Sequence, residues 1–463
     1  MIEISPNRSY PLSFRQVEVA RVMQVLRAGD SCSLIGVSGM GKSNLFRFLC
    51  HPSVGEHFLE QEWVNFLILQ VDIHALAEVN EAAIYDLFFE RLILAMEAQK
   101  VERGLIDQIA ALHKEAEPQQ DRLIWLKYFS RALRTCARIR PFRFVFMLDQ
   151  FDELYRTLEP RFFVNLRALR DEHKDRLTFI IFSRDELPAI RDTPELDEFN
   201  ELVRAHSIGI GPYLPADARL ELEHIARRYG QVLTPEFSEH LFSLTGGHPG
   251  LLRACYLSSL PAQIADSPQA TRTGANNSTA MLEFLEYAEV LTECKKLQES
   301  LREDELKGLR TLLQTPGAAS GSDVIRRLRM KGILNQADQV FSPLFKEYLA
   351  RTFTARQIET RLQAGPIRID TSGEVWVGAV KVESQLTGGE MRLLTYLCSR
   401  PNQLCSKDEV IINAYPEKFA QGETVSDEAI NQLVKRLRQR IEDNPGEPKF
   451  ILTVRGKGYM LKV

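Results

Sequence analysis

Residues 36–43 read GVSGMGKS, and no other stretch narrows the fold of this chain so far. The spacing G-x-x-x-x-G-K-[ST] follows an apolar run, Ser31–Ile35, and precedes a helical pattern, Asn44–Cys50. In that strand–loop–helix context such a loop cradles phosphate. Gly36 and Gly41 let the backbone curl until its N–H groups face phosphate oxygens. Lys42 then places its ammonium on the β and γ phosphates, and Ser43 offers its hydroxyl to Mg²⁺. The N-terminus of the following helix adds a favourable dipole. The expected nucleotide contacts are Gly36, Val37, Ser38, Gly39, Met40, Gly41, Lys42, Ser43 and Asn44, with ATP or ADP and Mg²⁺ as cofactors.

A parallel sheet needs more buried strands, and Phe66–Asp72, Phe144–Asp149 and Thr178–Ser183 have the apolar character for them. Helical patterns such as Ala82–Gln99 and Arg122–Arg138 alternate with these runs, which is α/β order. The run FVFMLDQFDEL at 144–154 places Asp149 at a strand's C-terminal end, where open α/β sheets bind ligands. Asp149 is the expected Mg²⁺ ligand beside Ser43. Gln150 follows it, and Gln orients water but accepts a proton poorly. Asp152 or Glu153 would then serve as the base, and hydrolysis would be slow, as suits a switch. The next strand ends at Ser183–Arg184, where Arg184 either senses a γ-phosphate or caps a strand at the surface. In SLTGGHPGLLR at 243–253, Pro249 fits the first turn of a helix. That turn either only opens the helix or brings His248 and Pro249 to the bound base or ribose.

The expected architecture is an α/β P-loop NTPase domain over 1–213, then an all-helical lid over 214–299 and a winged-helix-like piece over 300–353. A linker at Thr354–Gly365 leads to a C-terminal α+β winged-helix domain over 366–463. Within the lid, Ala265–Ala280 lacks periodicity and reads as a surface loop. The seven cysteines show no metal-ligand spacing and read as buried, reduced core residues. No apolar run approaches the roughly 18 residues that span a bilayer. The N-terminal stretch lacks the apolar core of a signal peptide, so the expectation is a cytoplasmic protein without a membrane partner. A net charge of −4 argues against a wholly basic nucleic-acid coat.

The C-terminus is nevertheless basic. From Val425, apolar residues fall at Ala429, Ile430, Leu433, Val434, Leu437 and Ile441, one helical face, with Ser426 as N-cap. Asn431, Gln432, Lys435, Arg436 and Arg438 lie on the remainder. A helix of this kind can enter a major groove, where Asn and Gln suit adenine and Arg suits guanine or phosphate. The hairpin TVRGKGY adds Thr453, Arg455 and Lys457. The bland alternative is a solvated basic helix without a ligand.

Two resemblances extend this reading. The strand motif DQFDEL, the SR strand end, the helical region with GGHPG and the following winged helix together resemble the STAND class of signalling ATPases, relatives of the AAA+ and origin-recognition ATPases. The resemblance covers roughly 10–350 and implies a protein held closed around ADP and opened by ATP exchange. Members typically end in a sensing repeat array, and this chain departs from them in showing none. LTGGEMRLLTY at 386–396, the RLR helix and TVRGKGY resemble the winged-helix effector domain of OmpR/PhoB-type response regulators. That resemblance implies double-stranded DNA as a partner, with the wing reaching phosphates or the minor groove. An ATP-switched transcription regulator follows, with RNA polymerase and a nucleotide-dependent homo-oligomer as further expected partners. An initiator or transposition ATPase, and a STAND defence or signalling protein with a protein partner, are the other readings.

Overall fold

The computed structural model describes all residues except 6–7, 118–121, 261–276, 316–321, 362, 370–373, 379, 383–385, 416–424, 443 and 455. The chain divides into two compact units, Met1–Tyr348 and Leu349–Val463.

The first unit is built on a five-stranded sheet. Its strands are β3 (Cys32–Ile35), β4 (Phe66–Asp72), β5 (Arg143–Asp149), β6 (Leu177–Ser183) and β7 (Ser207–Gly209). A short antiparallel hairpin, β1 (Ile2–Ser5) and β2 (Arg8–Tyr10), precedes them. The sheet order is β4-β5-β6-β3-β7, and every pairing is parallel. The strands are apolar almost throughout because helices cover both faces. Leu67, Leu69 and Val71 of β4 and Phe144, Phe146 and Leu148 of β5 alternate into one large core with Tyr85, Phe88, Phe129 and Phe162. The other sheet face packs against helices α1 (Gln16–Ala28) and α2 (Lys42–Leu49), and α3 (Pro52–Leu59) packs on those two helices. A fourth helix, α4 (Glu81–Ala98), lies along β4 and starts where the Asn80 side chain accepts from the Ala83 N–H.

The four expected strands are present within a residue or so. The three-residue β7 and the N-terminal hairpin were not anticipated, since neither is long enough to show a period. Helix α2 begins at Lys42, two residues earlier than its apolar pattern suggests. The region after β7 is helical, with Pro215, Pro235 and Pro249 each in a first turn, where the missing N–H is not needed. The expected loop Ala265–Ala280 lies mostly outside the described residues, but its end is helical, in Asn277–Phe284. Beyond it come Ala288–Glu299, Glu303–Gln314 and Asp323–Met330. Before the last helix of this piece, Leu334 and Val340 form an isolated antiparallel bridge. The helix Pro343–Arg361 runs through most of the expected linker, and the boundary between the units falls inside it.

The second unit holds two antiparallel sheets. The first runs β8 (Gln363–Ala364), β9 (Ile367–Ile369), β10 (Val375–Val377) and β11 (Val380–Lys381) in sequence. The second pairs β12 (Leu404–Ser406), β14 (Gly458–Leu461) and β13 (Ile451–Val454) in that order. Three helices, Gly388–Cys398, Lys407–Ala414 and Asp427–Ile441, share one core with the strands, including Leu393, Leu433, Leu437 and Tyr459. Capping boxes open the first two, Thr387 with Glu390 and Ser406 with Glu409. Among the described residues no helix is long and apolar enough to cross a membrane. All seven cysteines are buried and unpaired.

Candidate functional site

The loop between β3 and α2 surrounds a cavity of about 280 Å³. Gly39 and Gly41 have φ of 74° and 83°, a region glycine enters freely, and they turn the loop around this space. Residues 38–44 line it, with Gln150, Arg184, Pro249 and Gly250. Arg8, Glu221 and Arg253 complete the wall. Arg8, Lys42, Arg184 and Arg253 set four cations against a single lining carboxylate, which suits a polyanion.

Lys42 folds back on its own loop and donates to the carbonyls of Gly36 and Val37, the latter at 3.0 Å. Burial pushes its ammonium down to about 8, against the nearby Asp152 carboxylate. Ser43 acts on the Asp149 carboxylate from across the sheet, although β6 lies between β3 and β5. Asp149 is buried, which raises its carboxyl, while Ser43 and the Gln150 N–H at 2.9 Å act the other way. Gln150 adopts a left-handed conformation, φ 59°, as the strand turns into the helix Phe151–Thr157. A hydroxyl and a carboxylate at the end of a phosphate-binding loop are the donor set of a nucleotide-bound Mg²⁺. These residues therefore fit a Mg²⁺–nucleotide, whose metal Ser43 and Asp149 could hold.

The other two acids expected here, Asp152 and Glu153, have partners of their own. Asp152 is buried and takes the Arg184 backbone N–H on both carboxylate oxygens, at 3.0 and 3.1 Å. It fixes the end of β6, which leaves the exposed Arg184 side chain at the cavity wall. Glu153 is half-exposed and faces His74 at 3.6 Å.

His248 is fully buried and contacts the loop itself. Its Nδ1 accepts from the Leu251 N–H at 3.1 Å, which leaves Nε2 to carry the proton and donate to the Ser38 carbonyl at 3.2 Å. Both ring nitrogens are thus engaged with backbone, while its neighbours Pro249 and Gly250 line the cavity. Gly250 donates to the Gly39 carbonyl at 3.2 Å, and the Ser38 N–H donates to the Ser300 hydroxyl at 3.2 Å. Arg15 holds the same loop from the other side, donating to the Met40 carbonyl at 2.7 Å and the Gly211 carbonyl at 3.0 Å.

Sequence reasoning missed Arg8, Arg15, Glu221, Arg253 and Ser300. Arg253 was within reach of it, since it lies four residues past Pro249, one turn along the same helix. The others come together only in the fold. Arg8 donates to Asn44 at 2.9 Å and pairs with Glu221 at 3.0 Å, and Glu221 also accepts from the Tyr10 hydroxyl at 2.7 Å.

In the second unit, Asp427–Ile441 buries Ile430, Leu433, Val434, Leu437 and Ile441. Ser426 caps it, accepting from the Ala429 N–H at 3.3 Å. Gln432 and Lys435 are exposed on the outer face, and Lys457 is exposed on the hairpin. Arg455 lies outside the described residues. Asn431 accepts the Tyr459 hydroxyl at 2.6 Å, and Arg436 pairs with the buried Glu390 at 3.5 Å. Arg438 and Thr453 brace one another. The guanidinium donates to the Ile451 carbonyl at 2.9 and 2.6 Å and to the Thr453 hydroxyl at 2.8 Å. A long arginine at the edge of the buried stripe reaches the adjacent strand, which helical position alone does not reveal. Glu442 ties the helix end to the same hairpin, accepting three backbone N–H groups from Lys449, Phe450 and Ile451.

Comparison with known proteins agrees with this division. The model of the family described as Novel STAND NTPase 1 matches residues 13–258, and that of Transcriptional regulatory protein, C terminal, matches 381–461. Protein PetR of Rhodobacter capsulatus is 28% identical over 175 residues, covering 34% of this chain and 70% of that protein. The probable transcriptional regulator ycf27 of Porphyridium aerugineum is 26% identical over 137 residues, covering 25% of this chain and 56% of that protein. The chain thus spans little more than half of ycf27. The crystal structure of the Klebsiella pneumoniae RstA DNA-binding domain with its RstA box is 28% identical, covering 22% of this chain and 94% of that one, with a TM-score of 0.19. With more than half of its 463 residues matched by that family's model, the chain belongs to the novel STAND NTPase 1 family, and it joins that P-loop ATPase to an OmpR/PhoB-type winged-helix DNA-binding domain.

Proposed function

We propose that the protein is a transcription regulator whose DNA binding is switched by its nucleotide state, ADP against ATP with Mg²⁺. The grip of the helical region on the phosphate loop carries this reading. His248, Gly250 and Ser300 all hydrogen-bond to Ser38 or Gly39, so an event at the phosphates acts on backbone shared with the helices beyond 213. From there the chain continues through Lys331, which bonds to Asp185, the residue after Arg184. The helix Pro343–Arg361 then leads into the DNA-binding unit.

Bound Mg²⁺ would neutralise phosphate charge and orient the terminal phosphate. Lys42 and Arg184 would bind the phosphates, and Gln150 would hold water without removing its proton efficiently, which keeps turnover slow. In the ATP state the protein assembles, and two winged helices linked in one particle bind adjacent half-sites more tightly than either alone. The regulator relatives support the transcriptional reading, and RNA polymerase is the partner that reading implies.

Linkage supplies the test. If ATP tightens DNA binding by some factor, DNA must tighten ATP binding by the same factor. Calorimetric titration of ATP into the full chain, with and without a tandem DNA site, should show that tightening and none for ADP. Equal ATP affinity in both titrations would refute the switch.

A further inference from the structure

Of the four cations in the wall of the nucleotide cavity, Arg8 alone is held in an ion pair among the described residues. Its partner, Glu221, is the one carboxylate of the same wall. An acid beside a polyphosphate opposes binding by like charge. Its place there calls for a physical reason.

The N-terminal hairpin brings Arg8 to the site. Tyr10 is fully buried and stacks on Phe14 with ring centroids 3.9 Å apart, which anchors β2. Arg8 lies two residues earlier in that strand, one period away. Both side chains converge on Glu221. The Tyr10 hydroxyl donates to its Oε2 at 2.7 Å, and the Arg8 guanidinium meets its Oε1 at 3.0 Å. Glu221 belongs to the helix Pro215–Arg228 and is almost fully buried, whereas 25% of the Arg8 side chain is exposed.

Arg8 also touches the helix that carries the phosphate contacts. Its Nη1 donates to the Asn44 Oδ1 at 2.9 Å, and Asn44 directly follows Ser43. Asn44 is itself held, donating to the hydroxyls of Tyr10 and Tyr213 at 3.3 and 3.4 Å. Each terminal nitrogen of the guanidinium carries two N–H groups, so a second donor on each remains for another acceptor.

We propose that Arg8 is a phosphate ligand of the bound nucleotide and that Glu221 competes with the phosphate for it. This rests on the nucleotide reading above. Carboxylate and phosphate are both anionic acceptors that an arginine binds strongly. Whatever Arg8 gives to the phosphate is drawn from its pair with Glu221, so the buried acid sets how tightly the nucleotide is held. A Glu221 that only staples the hairpin to the helix would leave nucleotide affinity unchanged when its charge is removed.

ADP is titrated calorimetrically into the full chain without DNA. Glu221→Gln removes the competing charge and keeps an acceptor for Tyr10, and it should tighten ADP several-fold. Adding Arg8→Met to Glu221→Gln should then weaken ADP by about tenfold, one charge-assisted hydrogen bond. Neither of these two variants strands a buried carboxylate at 221, so misfolding does not imitate the loss. Arg8→Met alone should weaken ADP as well. Inorganic tripolyphosphate should lose affinity between the same two variants by the same factor. Unchanged or weaker ADP binding in Glu221→Gln would overturn the competition. Equal ADP affinity in Glu221→Gln and the double variant would overturn Arg8 as a ligand. A loss seen with ADP but not with tripolyphosphate would overturn phosphate as its target. No ADP binding by the parent chain would instead overturn the nucleotide reading, and this proposal with it.

Discussion

Lys331 donates to the Asp185 carboxylate at 2.7 Å, burying an ion pair one residue beyond the cavity-lining Arg184. The same ammonium donates to Glu305 at 2.8 Å, and Lys331 and Glu305 are both almost fully buried. Arg302 joins the cluster, 3.3 Å from Asp185. The region that follows the helical lid is therefore fastened to the end of β6 by charge inside the protein.

Removing Lys331 leaves Asp185 and Glu305 with only the partial compensation of Arg302 and Arg327. Lys331→Met should destabilise the first unit by about 3–5 kcal/mol, the usual cost of stranding a buried charge. Denaturant unfolding checks this. Lys331→Met combined with Glu305→Leu should recover part of the loss, because the buried carboxylate that lost its closest cation is then gone.

Acid should loosen the grip on the phosphate loop. Burial holds His248 down at about 3, with Lys42 and Arg15 acting in the same direction and the Ser38 carbonyl opposing them. The unfolded chain binds that proton near pH 6.5, so the stabilisation is complete above 6.5 and is lost as pH falls from there toward 3. The slope from this one group is at most about 1.4 kcal/mol per pH unit. Burial also depresses His173 and His224, which add slope of the same sign. His248→Gln should therefore flatten the fall in stability without abolishing it. A profile identical to that of the parent protein would contradict the assignment.

Nucleotide binding divides between two residues. Lys42→Ala should weaken both ATP and ADP, since a phosphate loses its ammonium. Asp149→Asn should weaken chiefly the Mg²⁺-dependent part, visible as a smaller difference between titrations with Mg²⁺ and with chelator.

In the DNA-binding unit, two basic residues of one helix should behave differently. Lys435→Ala should weaken DNA binding while changing stability by less than about 0.5 kcal/mol, as at other exposed sites. Arg438→Ala should cost about 1.5–3 kcal/mol of stability, because its hydrogen bonds to Ile451 and Thr453 are charge-assisted. Lys457→Ala should lower the slope of log affinity against log salt by about 1 if Lys457 contacts a phosphate. Paired melting and salt titrations separate the three.

What the sequence made legible follows the range of the forces involved. The phosphate loop, Asp149 and the buried stripe of Asp427–Ile441 are patterns within a few residues, and a period or a fixed spacing exposes them. Arg8 and Glu221 meet across more than two hundred residues, as Lys331 and Asp185 do across 146, and no local pattern marks either pair. Arg438 shows the opposite failure. Its position on the helix is readable, but its length and the neighbouring strand decide where its charge goes. That Asp152 is an acid near Asp149 is readable, but the Arg184 N–H that both its oxygens accept at the end of β6 is not.

The central claim is that nucleotide state governs DNA binding, and one measurement addresses it directly. The full chain is titrated onto a tandem DNA site with saturating ADP, and again with a slowly hydrolysed ATP analogue and Mg²⁺, while particle mass is recorded in both. Tighter binding and a larger particle in the ATP state are expected, with both effects lost in Arg184→Ala. Equal affinity and equal mass in the two nucleotide states would contradict the account.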